Sequence, residues 1–202
     1  EPKITNPDGV LFGREAVIRE IKETMAQTNS VLITGAPGSG KTHLLKYLHQ
    51  KDYPEAIFME TPVPIRQLVA RLLSQADPKA KFGPRSPILE MVNLILEKSA
   101  AVKCPVLFID NLERLKAPEA DIIIKLLEKF TIIGVAQKLP GRLGSLAFKF
   151  KEIKIGNLDH LATQKLIRHL SQNLAIADYK MLDTRIWSLS NGLPVAIVDM
   201  VR

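Results

Sequence analysis

The sequence predicts an α/β fold, a parallel sheet flanked by helices and followed by a small all-helical lid, and three observations lead there. A short apolar run, Ser30-Val31-Leu32-Ile33-Thr34, breaks into a glycine-rich turn over residues 35–40 and resumes with helical spacing. Four more strand-like runs then alternate with helical patterns as far as Ile155. After Gly156-Asn157 the strand patterns stop, and everything from Asp159 to Arg202 reads as helix. The expected organisation is an α/β core over residues 1–156 and a helical lid over 157–202.

Element by element, residues 1–9 carry two prolines, an Asn and a Gly and read as an extended arm. From Arg14 to Gln27, the positions of Ala16, Val17, Ile18, Ile21 and Met25 approximate a helical face, and Asn29 ends it. The helix after the glycine-rich turn runs through Leu44, Leu45 and Leu48. Ala56-Ile57-Phe58-Met59-Glu60 is the second strand, and Pro62 and Pro64 set up a helix around Leu68, Val69, Leu72 and Leu73. Residues 76–87 form a loop by composition, and a helix from about Ile88 to Val102 follows. Pro105 to Asp110 is a buried strand ending in a carboxylate, and Pro118 opens a helix to Lys129. Thr131–Ala136 is a fully apolar strand, and Lys151–Ile155 alternates. The lid divides into helices of about 159–173, 178–190 and 193–202, with Trp187 packing their core.

Bulk composition sets limits. At 202 residues, 46% hydrophobic and 24% charged, the chain can bury a sizeable core. No apolar run approaches the ~18 residues of a membrane span, so no membrane is expected. The N-terminus has no secretory pattern, and the missing initiator Met points to a piece of something longer. The lone Cys104 forms no internal disulfide, and cytoplasm is the expected location. His43, His49, His160 and His169 are scattered and suggest no metal-ligand set. Net charge is +7, which favours polyanions, and basic residues thicken at Lys79, Lys81 and Arg85 and again at Lys138, Arg142, Lys149, Lys151 and Lys154. With only 5% aromatics, phosphate contact is a better use of a basic face than base stacking.

The motif with the clearest chemistry is Gly35-Ala36-Pro37-Gly38-Ser39-Gly40-Lys41-Thr42, a full Walker A pattern with a strand before it and a helix after. Glycines let the backbone curl around phosphate oxygens so that N–H groups form an anion nest, and the helix N-terminus adds its dipole. Lys41 is expected on the β- and γ-phosphates and the Thr42 hydroxyl on Mg²⁺. The expected nucleotide contacts take in Ala36, Pro37, Gly38, Ser39, Gly40 and the next residue along, His43. ATP or ADP with Mg²⁺ is the cofactor so implied.

Val106 to Ile109 followed by Asp110 reads as Walker B, whose carboxylate joins Thr42 in holding the metal. About seventy residues and a strand–helix unit separate Lys41 from Asp110, a spacing that suits P-loop proteins with an extra strand between the two motifs. Next to Asp110, where such enzymes carry Glu, this chain has Asn111. Asn can orient water but cannot accept its proton, so hydrolysis is expected to be slow unless another carboxylate substitutes. Glu113 is the nearest candidate, and a solvent-facing partner of Arg114 is the other reading of it.

With these motifs the chain resembles the AAA+ and STAND ATPases over nearly its whole length, in the ASCE branch of P-loop NTPases. Leu11-Phe12-Gly13-Arg14-Glu15 resembles the entry box of these families, which implies adenine contact near Val10 and Leu11 and roles for Gly13 and Arg14. Thr131–Gln137 is similar to the sensor 1 strand, with Gln137 where the family usually has Asn or Thr. The segment Pro140-Gly141-Arg142-Leu143-Gly144-Ser145 resembles the one that holds the arginine finger, which implies that Arg142 acts on a neighbouring subunit's nucleotide. Asn191-Gly192-Leu193-Pro194 is similar to the STAND Gly-x-Pro motif, which implies that Pro194 packs near the base. No Arg sits in that segment, so the AAA+ sensor 2 residue is missing and a STAND-like or archaeal-type ATPase is favoured over a ring motor.

The resemblance implies a nucleotide-switched module that self-associates through its nucleotide. Two uses stay open. One is an initiator-like or transposition-regulator-like ATPase on double-stranded DNA; the other is a signalling module with protein partners. A scaffold without turnover is a third reading, and a small-molecule kinase fits poorly because the candidate basic lid, residues 79–85, lies before Walker B and a sensor-like strand and three-helix tail follow it.

Overall fold

The computed structural model describes residues 10–27, 29–60, 64–172 and 179–201. Five strands form one sheet: β1 (Val31–Thr34), β2 (Ile57–Glu60), β3 (Val106–Asp110), β4 (Thr131–Ala136) and β5 (Lys151–Lys154). All pairings are parallel, in the order β2-β3-β4-β1-β5. The strand that separates the Walker A strand β1 from the Walker B strand β3 in space is β4. This is the inserted-strand arrangement that the motif spacing predicts.

Helices α1 (Glu15–Ala26), α2 (Lys41–Asp52), α3 (Ile65–Ala76), α4 (Ile88–Glu97), α5 (Ala117–Leu126) and the single turn α6 (Gly144–Ala147) belong to the sheet layer. Each strand of a doubly covered parallel sheet is buried on both faces, and β1 and β3 are buried at every position. Two cores result. On one side Leu68, Leu72, Val92, Ile95, Ile123 and Leu126 cover Leu107, Ile109 and Ile132. On the other, Ile21, Leu44, Leu45 and Leu48 cover Ile33, Phe108 and Ile133. The even positions of β3 thus face α2, and this alternation aims Asp110 at the same side.

The expected helix to Val102 ends at Glu97, and a 3-10 turn, Ser99–Ala101, completes the segment. Lys98 pairs with Asp77 at this break and ties it to the loop after α3. Helix α5 begins one residue before Pro118, with Glu119 Oε2 accepting from the Lys116 amide at 2.8 Å. Two short pieces had no sequence signal: the 3-10 turns Leu112–Arg114 and Gly141–Leu143, the latter running into α6.

The lid helices are α7 (His160–Leu170), α8 (Tyr179–Ser190) and α9 (Pro194–Val201). Asp159 caps α7 by accepting from the Ala162 amide at 2.7 Å. Leu158, Ala162, Leu166, Ile167, Ile186 and Ile197 make the lid core. Trp187 is not among them. It is half-buried, with its ring edge-on to His160 and against the turn at Gly192. The extended arm over 1–9, Pro62, and the expected helix ends at 173, 178 and 202 fall outside the described residues.

Candidate functional site

The Walker A loop leaves β1 at Thr34 and enters α2 at Lys41. Gly38 and Gly40 sit at φ 78° and 90°, in the left-handed region that a side chain would oppose. Lys41 is only 8% exposed, and its Nζ donates to the carbonyls of Gly35 and Ala36, both at 2.9 Å. Burial pulls the Lys41 pKa down, while the charges of Glu113 and Asp110 oppose that shift. Arg14 is 6% exposed and donates from Nη2 to the Ser39 carbonyl at 2.8 Å, and burial lowers its pKa too. The C=O and N–H of one trans peptide unit point in opposite directions, so holding the Ser39 carbonyl outward turns the Gly40 amide the other way. The loop is thereby braced from behind by the entry segment.

At the end of β3, Asp110 is completely buried. Its Oδ1 accepts from Thr42 Oγ1 at 3.2 Å and from the Asn111 amide at 2.9 Å. Burial raises the Asp110 pKa, and those two hydrogen bonds act against the rise. The hydroxyl and carboxylate supply oxygen donors only, side by side, the donor chemistry that suits a hard ion such as Mg²⁺. Among the described residues no group of three or more His, Cys, Asp or Glu side chains gathers into another metal site.

Asn111 has φ 51°, ψ 48°, a left-handed conformation that Asn tolerates better than most residues. The turn it starts is pinned by Leu112, fully buried in the space that Gly134 of β4 leaves open. A Cβ on Gly134 would lie 2.1 Å from Leu112 Cδ1. The turn brings Glu113 back toward the loop: among the charges felt by Lys41, its carboxylate is the largest. Glu113 Oε2 is buried with no hydrogen-bond partner among the described residues. Arg142 is exposed and donates from Nη2 to the Glu113 main-chain carbonyl at 3.0 Å.

These elements surround a cavity of about 400 Å³. Of the residues the sequence nominates, Val10, Leu11 and Arg14 line it from the entry segment, and Pro37, Gly38, Ser39, Gly40, Lys41, Thr42 and His43 from the loop and α2. Asn111, Gln137 and Pro194 complete the nominated set on its walls. Gly13, Ala36, Asp110, Glu113 and Arg142 are not on its walls. Gly13 (φ 63°) has another role: a Cβ there would lie 2.5 Å from Ala162 Cβ, so Gly13 is where the entry segment touches α7. His43 bonds to the Val10 main chain, which ties the entry segment to α2, and burial lowers its pKa.

Six wall residues escaped the sequence reading: Phe12, Lys46, Leu158, Leu166, Val195 and Val198. The signal for Lys46 was present, since it follows Thr42 by four residues on α2 and so shares its face. For the lid residues there was none. The Val195 amide donates to the Gly38 carbonyl at 3.3 Å, and Val195 Cγ1 lies 2.3 Å from where a Gly38 Cβ would be. Within the lid, Asn157 Nδ2 donates to Asn191 O at 2.9 Å and Leu158 N to Gly192 O at 2.8 Å, which ties the segment before α7 to the turn before α9.

A family model described as "AAA domain" matches residues 24–143. No curated protein matches the chain. Among solved structures, two mutants of Thermotoga maritima RuvB superpose with TM-scores of 0.62 and 0.61. Each is 18% identical and is matched over 95% of this chain and 62% of its own. A third, described as the Thermotoga maritima RuvB Holliday junction branch migration motor, gives a TM-score of 0.55 at 18% identity, over 94% of this chain and 61% of its own. This chain therefore spans about three-fifths of the length of those RuvB chains, and the likeness is one of fold.

Proposed function

The chain belongs to the AAA domain family, and on that premise we propose that it binds ATP with Mg²⁺ as a nucleotide-dependent switch and hydrolyses it slowly. The observation that carries the switch is the contact between Val195 at the start of α9 and Gly38 at the tip of the phosphate loop. A γ-phosphate seated against the loop is felt directly by the lid. Its departure is transmitted to α9 and to the Gly192 turn.

In this reading Lys41 leaves the Gly35 and Ala36 carbonyls for the β- and γ-phosphates. Thr42 and Asp110 would hold Mg²⁺, which supplies charge neutralisation for the phosphate oxygens. The base lies among the apolar Val10, Leu11, Pro194 and Val198. Asn111 and Gln137, both on the cavity wall, orient the attacking water. As its oxygen bonds to the γ-phosphorus and the β–γ bridging oxygen leaves with ADP, Glu113 takes the proton. What supports Glu113 in this role is that its Oε2 is buried without a hydrogen-bond partner among the described residues and that its charge opposes the lowering of the Lys41 pKa.

The partner we favour is double-stranded DNA. The net charge is +7, and Lys151 and Lys154 on β5, with Lys149 just before it, stand exposed, while Glu152 is engaged with Thr34 Oγ1 at 2.6 Å. RuvB is described as a Holliday junction motor, a relative in fold that works on DNA.

The chain's single tryptophan, Trp187, lies against Gly192 and reports the lid. Titration with ATP and Mg²⁺ is expected to change its emission, and ADP to produce a smaller change. Identical responses to ATP and ADP would remove the switch. ATP-dependent DNA binding that weakens steeply with salt is expected from phosphate contacts. Binding that is absent at low salt would turn the search to a protein partner.

A further inference from the structure

The segment predicted to carry an arginine finger does something within its own chain. Arg142 reaches back from the turn after β4 and caps the Glu113 carbonyl at 3.0 Å. That carbonyl belongs to a turn whose other supports are already identified: Asn111 in the left-handed region, and Leu112 buried over Gly134. The amides of Arg114 and Leu115 close the turn onto Asn111 O and Leu112 O at 3.0 and 3.1 Å. The Glu113 carbonyl is left for an outside donor, and Arg142 supplies it. Arg142 is exposed and the bond lies at the surface, so it competes with water and can be released.

We propose that Arg142 is a positioning residue acting in cis: it fixes the turn after Walker B so that the Glu113 carboxylate stays aimed at the Lys41 side of the site. The inference rests on the ATPase reading above, with Glu113 as proton acceptor. It differs from a finger, which acts on a neighbouring subunit's phosphate and leaves the turn of its own chain alone. A side chain occupied in this way also links the turn after β4, and anything that docks there, to the competence of the site.

Four measurements on the full chain test it. Amide hydrogen exchange in the nucleotide-free protein is expected to quicken roughly three- to tenfold in Arg142→Ala, confined to residues 111–115, the factor expected for losing one hydrogen bond. Arg142→Lys, which keeps one donor, is expected to fall between. Under dilute, monomeric conditions Arg142→Ala is expected to lower kcat about tenfold while KM for ATP stays within about twofold, the pattern of a lost transition-state contribution. In a Glu113→Gln background, Arg142→Ala is expected to add almost nothing, because it acts through that carboxylate. Unchanged exchange at 111–115, a defect seen only when subunits associate, or full additivity with Glu113→Gln would each overturn the proposal. A chain that binds no ATP fails the underlying reading instead, and equilibrium nucleotide binding distinguishes the two failures.

Discussion

Gly134→Ala tests how tightly the turn after β3 is set. Gly134 is a β4 residue with ordinary strand geometry, so alanine there has no backbone strain to meet. The new methyl would instead lie 2.1 Å from Leu112 Cδ1 and 3.2 Å from Cγ. Leu112 has no solvent-exposed surface through which to retreat. Forcing an extra carbon into such a core costs about 1–3 kcal/mol. For a chain of this length that corresponds to a fall in Tm of roughly 2–12 °C. Leu112→Ala creates the opposite fault, a cavity, at about 2–5 kcal/mol. In the double variant the Gly134 methyl occupies part of the space Leu112 vacates, so the combined loss is expected to fall short of the sum by about 1 kcal/mol or more. Because displaced Leu112 drags Glu113 with it, Gly134→Ala is also expected to lower kcat by about tenfold or more while ATP affinity stays within about twofold. Denaturant melts of the three variants, paired with turnover and nucleotide binding, measure all of this. Additive destabilisation, or a Gly134→Ala protein with wild-type stability and kcat, would refute the reasoning.

Arg14→Ala removes the buried guanidinium from the Ser39 carbonyl; a loss of about 1.5–3 kcal/mol in stability is expected in denaturant melts, with weaker nucleotide binding by calorimetry. Asn111→Ala removes the short polar side chain that makes the left-handed conformation tolerable, at a cost of about 1 kcal/mol, whereas Asn111→Gly is expected to keep the wild-type Tm. His43 titrates below its ordinary 6.5 chiefly through burial, so the unfolded chain binds more protons than the folded one in the window beneath that value. Stability is therefore expected to decline as pH falls below about 6.5. His43→Asn is expected to flatten that decline in a series of melts, and an unchanged slope would exclude His43 as its source.

What the sequence made legible is local. The Walker A spacing placed β1, the loop and α2 because only glycine serves at φ 78° and 90°, and the lysine and threonine must follow at once. Apolar runs placed β1 and β3, since a strand buried on both faces leaves an unbroken hydrophobic signature, whereas β5 was placed by its alternation. The tertiary contacts were not legible. Val195 on Gly38 joins residues far apart in the chain, and Arg14, singled out for a nucleotide role, instead holds the Ser39 main-chain carbonyl as well as lining the cavity. Gly134 reads as an ordinary strand glycine until Leu112 is seen in its place. Asn111 reads as the loss of a general base, and nothing in the sequence shows the positive φ with which it starts the turn to Glu113. The finger-like segment is read by resemblance, and the bond from Arg142 to the Glu113 carbonyl has no signature in the sequence.

Calorimetric titration of the wild-type chain and Lys41→Ala with ATP in the presence of Mg²⁺ tests the central claim most directly. One saturable site per wild-type chain, abolished in a Lys41→Ala protein that melts normally, is the expected result. Equal binding by the two proteins, or none by the wild type, would contradict the assignment of the loop as the phosphate site.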